Sequence, residues 1–189
     1  METDINFSDV FCNLNLVTND SKLTKISKLL HRVLPTNTLL VKIGIKNSNL
    51  GNFCKYASDS ILHYIWLCAV VKLFWNRIKT LLEIFVVIPI ELNMANIVFI
   101  TNVNEYPFQI IEFVMLFSKY YIHCCKWSNN LPTIEVLKAK LKSRERNGEI
   151  IQSLRISWKT MRIGGWNYCN LALLLLFYSL SRSKLYNYL

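Results

Sequence analysis

From Asp59-Ser60 onward the apolar residues Leu62, Ile65, Trp66, Val70, Leu73, Phe74, Ile78 and Leu82 recur every three or four positions. That period lines up one face of an α-helix, and a strand would need alternation every second residue. A pattern this long must pack its apolar face against other elements, which makes a helical core the first expectation. The chain has 189 residues, enough for one modest core with a small appended module. The longest uninterrupted apolar runs, Tyr64 to Val71 and Leu171 to Tyr178, are eight residues long, against roughly 18 for a membrane span.

Other segments extend the helical reading. Leu23, Ile26, Leu29, Leu30 and Val33 follow helical spacing, with Lys22, Lys25, Lys28 and Arg32 on other faces. Pro35 stops that helix because the residue before a proline is driven out of the α region. Thr36 or Asn37 then caps a short helix through Leu39, Leu40 and Ile43, ended by Gly44. One helix is expected from about residue 60 to 82, with an interruption near Ala69 left open. Ile84 to Ile90 and Asn96 to Thr101 are β-branched enough for two short strands. Pro107 opens a helix with Phe108, Ile111, Met115, Ile122 and Cys125 on one side. After a turn at Asn129-Asn130, Thr133 caps a basic helix carrying Lys138, Lys140, Lys142, Arg144 and Arg146, which Gly148 breaks. The expected fold is mainly α: a small helical module followed by a helical C-terminal region, with at most one short β-hairpin.

Charge and acid placement narrow the function. Lys and Arg number 22 against 12 Asp and Glu, a formal charge of +10 that favours polyanionic partners. The aspartates Asp4, Asp9, Asp20 and Asp59 all precede residue 60, and the glutamates are scattered, so no carboxylate cluster of the two-metal kind is visible. The five glycines form no phosphate-binding loop, and His31, His63 and His123 accompany no nucleophile motif. A non-enzymatic role is therefore expected. The acidic, weakly apolar N-terminus does not read as a secretory signal, so the expected location is intracellular, in nucleus or cytoplasm, with no membrane association. In that setting the six cysteines read as thiols or metal ligands.

Cys54, His63 and Cys68 are spaced C-x8-H-x4-C. Two soft thiolates and an imidazole at short spacing suit tetrahedral zinc, whose structural sites take four ligands. The fourth would be expected three residues before Cys54, at Gly51. The run His31-Arg32-Val33-Leu34-Pro35-Thr36-Asn37, then Leu40, Lys42-Ile43-Gly44-Ile45-Lys46, Phe53-Cys54, Asp59-Ser60, His63, Trp66, Cys68 and Phe74-Trp75 resembles the zinc-binding domain that follows the reverse transcriptase in non-LTR (LINE-type) retrotransposons. The likeness is close over about residues 20 to 80 and looser, through Phe117 to Ile122 and the basic helix, to about Trp158.

The resemblance implies Cys54, His63 and Cys68 as zinc ligands, with Gly51 standing where the family has its first ligating cysteine and Asp59 where it has a glutamate. Cys12 is the other candidate for the open corner. It also implies RNA or DNA as partner, with Lys22, Lys25, Lys28, Arg32, Lys42 and Lys46 touching phosphates, and no counterpart of the family's polymerase or endonuclease centres. The division that follows is a loose segment at 1–20, the zinc-binding-like domain at 21–80, a helical region at 81–163, and a low-charge tail at 164–189 read as run-on sequence. Two other readings remain: a helical structural relic whose zinc site is dead, and a membrane-associated chain using Leu171 to Tyr178. Trp66, Phe74 and Trp75 are expected in the core rather than stacked on bases.

Overall fold

The computed structural model describes residues 34–86, 89–94, 97 and 108–146, without the side chains of 85, 86, 108–110, 145 and 146. The expected basic helix at 22–33, Cys12, the second strand candidate and the tail at 164–189 lie outside, or almost wholly outside, the described residues. Within them the chain is mainly helical: α1 (Asn37–Lys42), a wide turn at His63–Leu67, α2 (Ala69–Val86), α3 (Phe108–Ser128) and α4 (Ile134–Arg146).

Local chemistry sets these boundaries. Thr36 caps α1, its Oγ1 accepting from the Leu39 N–H at 3.2 Å. Gly44 follows the helix at φ +76°, a left-handed conformation that a side chain would oppose. Asn129, at φ 55°, ends α3 in the same way, since asparagine is among the few other residues that tolerate that region. Pro132 and Thr133 then lead into α4, where the Thr133 carbonyl accepts from the Leu137 N–H.

The expected strand at Ile84–Ile90 is not formed: α2 runs on through Val86. Leu81 and Leu82 carry the buried face of the helix toward its end, and Ile84, although 63% exposed, stays helical with them. Glu83 then accepts from the Ile90 N–H at 3.1 Å and ties the following segment back to the helix. Strand-like pairing among the described residues is confined to one antiparallel bridge, Leu50 with Ser58.

One apolar cluster joins the elements. Val71, Phe74, Trp75, Ile78 and Leu82 from α2 meet Phe113, Leu116, Phe117, Tyr121 and Ile122 from α3 and Leu137 and Leu141 from α4. Phe74 and Tyr121 lie with ring centroids 5.8 Å apart, and Arg144 sits over the Phe117 ring at 4.9 Å. Phe74 and Trp75 are core residues and Trp66 packs at its margin, as their spacing predicts. Helix α3 differs from expectation in being buried on all sides from Glu112 to Lys119 rather than along one stripe.

Candidate metal centre

The trio picked out by spacing converges. Their ligand atoms, Cys54 Sγ, a His63 ring nitrogen and Cys68 Sγ, all lie within 4.8 Å of one another, with His63 and Cys68 buried and Cys54 half-buried. Bonds of about 2.3 Å to sulfur and about 2.0–2.1 Å to nitrogen give tetrahedral edges of roughly 3.5–3.8 Å. The three atoms therefore need to shift by no more than about 1 Å to share one ion, and the donor types suit three corners of a tetrahedral zinc site.

Two local structures bring them together. Cys54 rides on a loop pinched by backbone hydrogen bonds from Gly51 N–H to Ala57 C=O at 2.8 Å and from Asp59 N–H to Asn49 C=O at 2.7 Å. Lys55 turns the chain there at φ 63°, and its N–H reaches the Gly51 carbonyl. His63 and Cys68 are five residues apart, a spacing that in a regular α-helix leaves side chains about 140° apart around the axis. The stretch His63–Leu67 is instead a π-turn, closed by a 2.8 Å bond from Cys68 N–H to His63 C=O. The wider turn returns Cys68 to the side that carries His63. Cys68 itself is extended (φ −60°, ψ 127°), so the chain breaks before α2. The Trp75 indole N–H donates to the Ile65 carbonyl at 2.7 Å beside this break.

The two thiols are unlike. Burial pushes Cys54 up, but the N–H groups of Tyr56 and Ala57 and the Cys68 thiol outweigh it and hold Cys54 below the ordinary thiol value. Burial dominates at Cys68 and raises it, with the N–H groups of Val71 and Val70 opposing and the Cys54 charge adding to the rise. Cys54 Sγ also lies 3.3 Å from His63 Nε2, so thiol and imidazole pair directly. Gly51 faces this cluster: a Cβ there would sit 3.3 Å from Cys54 Sγ and 3.4 Å from His63 Nε2. The open corner inferred from spacing is thus beside two of the three donors in space.

A buried polar network holds the loop in place. The Asn37 N–H donates to Asp59 Oδ2 at 2.6 Å, and its side-chain amide donates to the Leu50 carbonyl and to Asn52 Oδ1. Lys126, 2% exposed, reaches in from α3 to pair with Asp59 Oδ2 at 2.6 Å, Asp59 being fully buried. Its ammonium also donates to the Pro35 carbonyl at 3.2 Å and lies 4.2 Å from the Tyr64 ring centroid. Burial lowers Lys126 below the usual lysine value even though Asp59 pulls the other way. The Asn52 amide donates to the Lys126 carbonyl at 2.9 Å, stitching the loop to α3 twice.

Lys126 and Asn52 were missed by sequence reasoning. The available signal was a lysine on the apolar side of a helix, between Cys125 and Trp127. Of the residues expected to touch phosphates, Lys42 is exposed in the last turn of α1. Lys46 gives one proton to Asn37 Oδ1 at 2.8 Å. Lys22, Lys25, Lys28 and Arg32 lie outside the described residues.

No protein-family model matches this chain, and no curated protein or solved structure shows significant similarity to it. No described helix is long and apolar enough to cross a membrane.

Proposed function

We propose that this chain is a nucleic-acid-binding module derived from the zinc-binding region of a non-LTR retroelement protein, with no catalytic centre of its own. Cys54, His63 and Cys68 hold zinc, and basic side chains contact the phosphates of RNA or DNA. The observation that carries this reading is the convergence of those three donors, built from a pinched loop and a π-turn that each serve to present them. The formal charge of +10 supports a polyanionic partner.

The test combines metal content with salt dependence. Purified protein is expected to retain about one zinc per chain, and His63→Ala to lose it. Affinity for RNA or duplex DNA should fall linearly with the logarithm of salt concentration, because each neutralised phosphate releases counterions. Gly51→Cys, which points a fourth thiolate at the cluster, should bind zinc more tightly than the natural sequence. Binding insensitive to salt overturns the phosphate contacts.

One observation favours a second reading. The 3.3 Å contact between Cys54 Sγ and His63 Nε2 satisfies both groups without an ion, as a structural relic with a dead site would require. Zinc found only in Gly51→Cys, with the natural protein equally stable in chelator, selects that reading.

A further inference from the structure

Beside the metal loop lies an open basin of about 520 Å³ whose lining includes Asn37, Lys46, Asn47, Asn52, Lys55 and Asn129. We propose that this basin is a binding site for the backbone phosphate of a nucleic acid, with Lys55 and Lys46 as the cationic contacts and Asn47 and Asn129 as amide donors. The proposal rests on the nucleic-acid reading above and deepens it by naming the surface, which the spacing of basic residues alone did not locate.

The lining is cationic and its charge is not locally cancelled. None of the described residues that line it is acidic. The nearby carboxylate of Asp59 is already paired with Lys126 and accepts from the Asn37 N–H. Both lining lysines are tethered by neutral amide oxygens instead: Lys46 Nζ donates to Asn37 Oδ1 at 2.8 Å, and Lys55 Nζ to Asn129 Oδ1 at 3.4 Å. An amide oxygen fixes the direction of an ammonium while leaving its full charge and its remaining protons for an incoming anion.

Such tethering reduces the ordering cost of binding. The tethers are themselves braced, since the Asn37 amide also donates to Leu50 and Asn52, and Asn129 sits at the left-handed end of α3. Lys55 follows Cys54 and holds a left-handed conformation in the loop closed by its own N–H on the Gly51 carbonyl, so the loop that carries the candidate metal ligand also presents the Lys55 ammonium.

A fluorescein-labelled single-stranded oligouridine and the matching oligodeoxythymidine of about 12 nucleotides, within the usual site size of single-strand binders, serve as probes. Fluorescence anisotropy is measured across a salt series for wild type, Lys55→Gln, Asn129→Gly and Lys72→Gln. Lys72 is exposed on α2 and outside the basin, so that variant carries the same charge change elsewhere. Lys55→Gln is expected to weaken binding about three- to tenfold and to reduce the salt slope by about 0.7, the loss of one phosphate contact. Asn129→Gly keeps the backbone conformation, frees the lysine and should weaken binding less, with the slope retained.

Lys72→Gln should match wild type, and zinc content is checked in each variant. Wild type that binds both probes while Lys55→Gln and Lys72→Gln behave alike overturns the basin and leaves the nucleic-acid reading standing. Wild type that binds neither probe nor duplex overturns both.

Discussion

The segment from Leu34 to Cys68 and the helices α2, α3 and α4 share one apolar cluster but differ in what else holds them. The helices share a continuous apolar cluster in which Val71, Ile78, Leu82, Ile122 and Leu137 are wholly excluded from solvent. The loop-rich segment has one short helix, and many of its apolar residues, among them Ile43, Ile45, Leu50 and Tyr56, are exposed. Leu34, Phe53, Tyr64 and Ile65 nevertheless join the shared cluster, and the loop is held besides by Asn37, Asp59 and the Lys126 ammonium borrowed from α3. A loop that relies on directional bonds for part of its hold depends on every partner being present. The apolar cluster degrades gradually by comparison, because each side chain shares its contacts with many neighbours.

The largest expected effect comes from removing the shared cation. Lys126→Met leaves the Asp59 carboxylate buried and unpaired, which should cost about 3–5 kcal/mol in urea denaturation. Adding Asp59→Asn should recover much of that loss, and a lack of recovery would deny that the pair is what holds the loop to α3. Next, Leu137→Ala should cost about 2–5 kcal/mol through the cavity it leaves, while the zinc content proposed for the Cys54 loop should not change. Loss of zinc in that variant would mean that the two regions do not respond separately.

The smallest effect is a pH dependence at their junction. His123 Nε2 accepts from the Trp127 indole at 3.2 Å, and Nδ1 faces the Tyr64 hydroxyl at 3.5 Å. Burial, with the Lys126 charge adding, holds His123 below its ordinary value of 6.5. The folded protein therefore resists a proton that the unfolded chain accepts. Its contribution to stability is complete above about 6.5 and is lost as pH falls toward the lower folded value. Chemical denaturation between neutral and mildly acidic pH should show this slope in wild type and a shallower one in His123→Gln.

Much of the helical framework was legible because period and punctuation agreed. Thr36, Gly44, the Asn129 turn and the start of α4 fall where capping chemistry places them. The Cys54, His63 and Cys68 grouping was legible from donor type and spacing. The continuation of α2 through Val86 was not, since the branched composition from Ile84 onward suits a strand while the helix begun upstream continues to Val86. Nor was the role of Lys126, whose partner is 67 positions away in the chain. The π-turn was equally hidden: nothing in the composition of His63 to Leu67 distinguishes it from an ordinary helical turn.

That turn has a consequence for how the chain tolerates changes in length. Cys68 lies five positions after His63, and the extended backbone at Cys68 separates that step from the register of α2. The bulge therefore sets which way Cys68 faces without fixing the phase of the hydrophobic seam below it. Deleting a residue within it leaves a four-residue step, which an ordinary helical turn also places on one side, whereas an insertion makes it six, which neither kind of turn does.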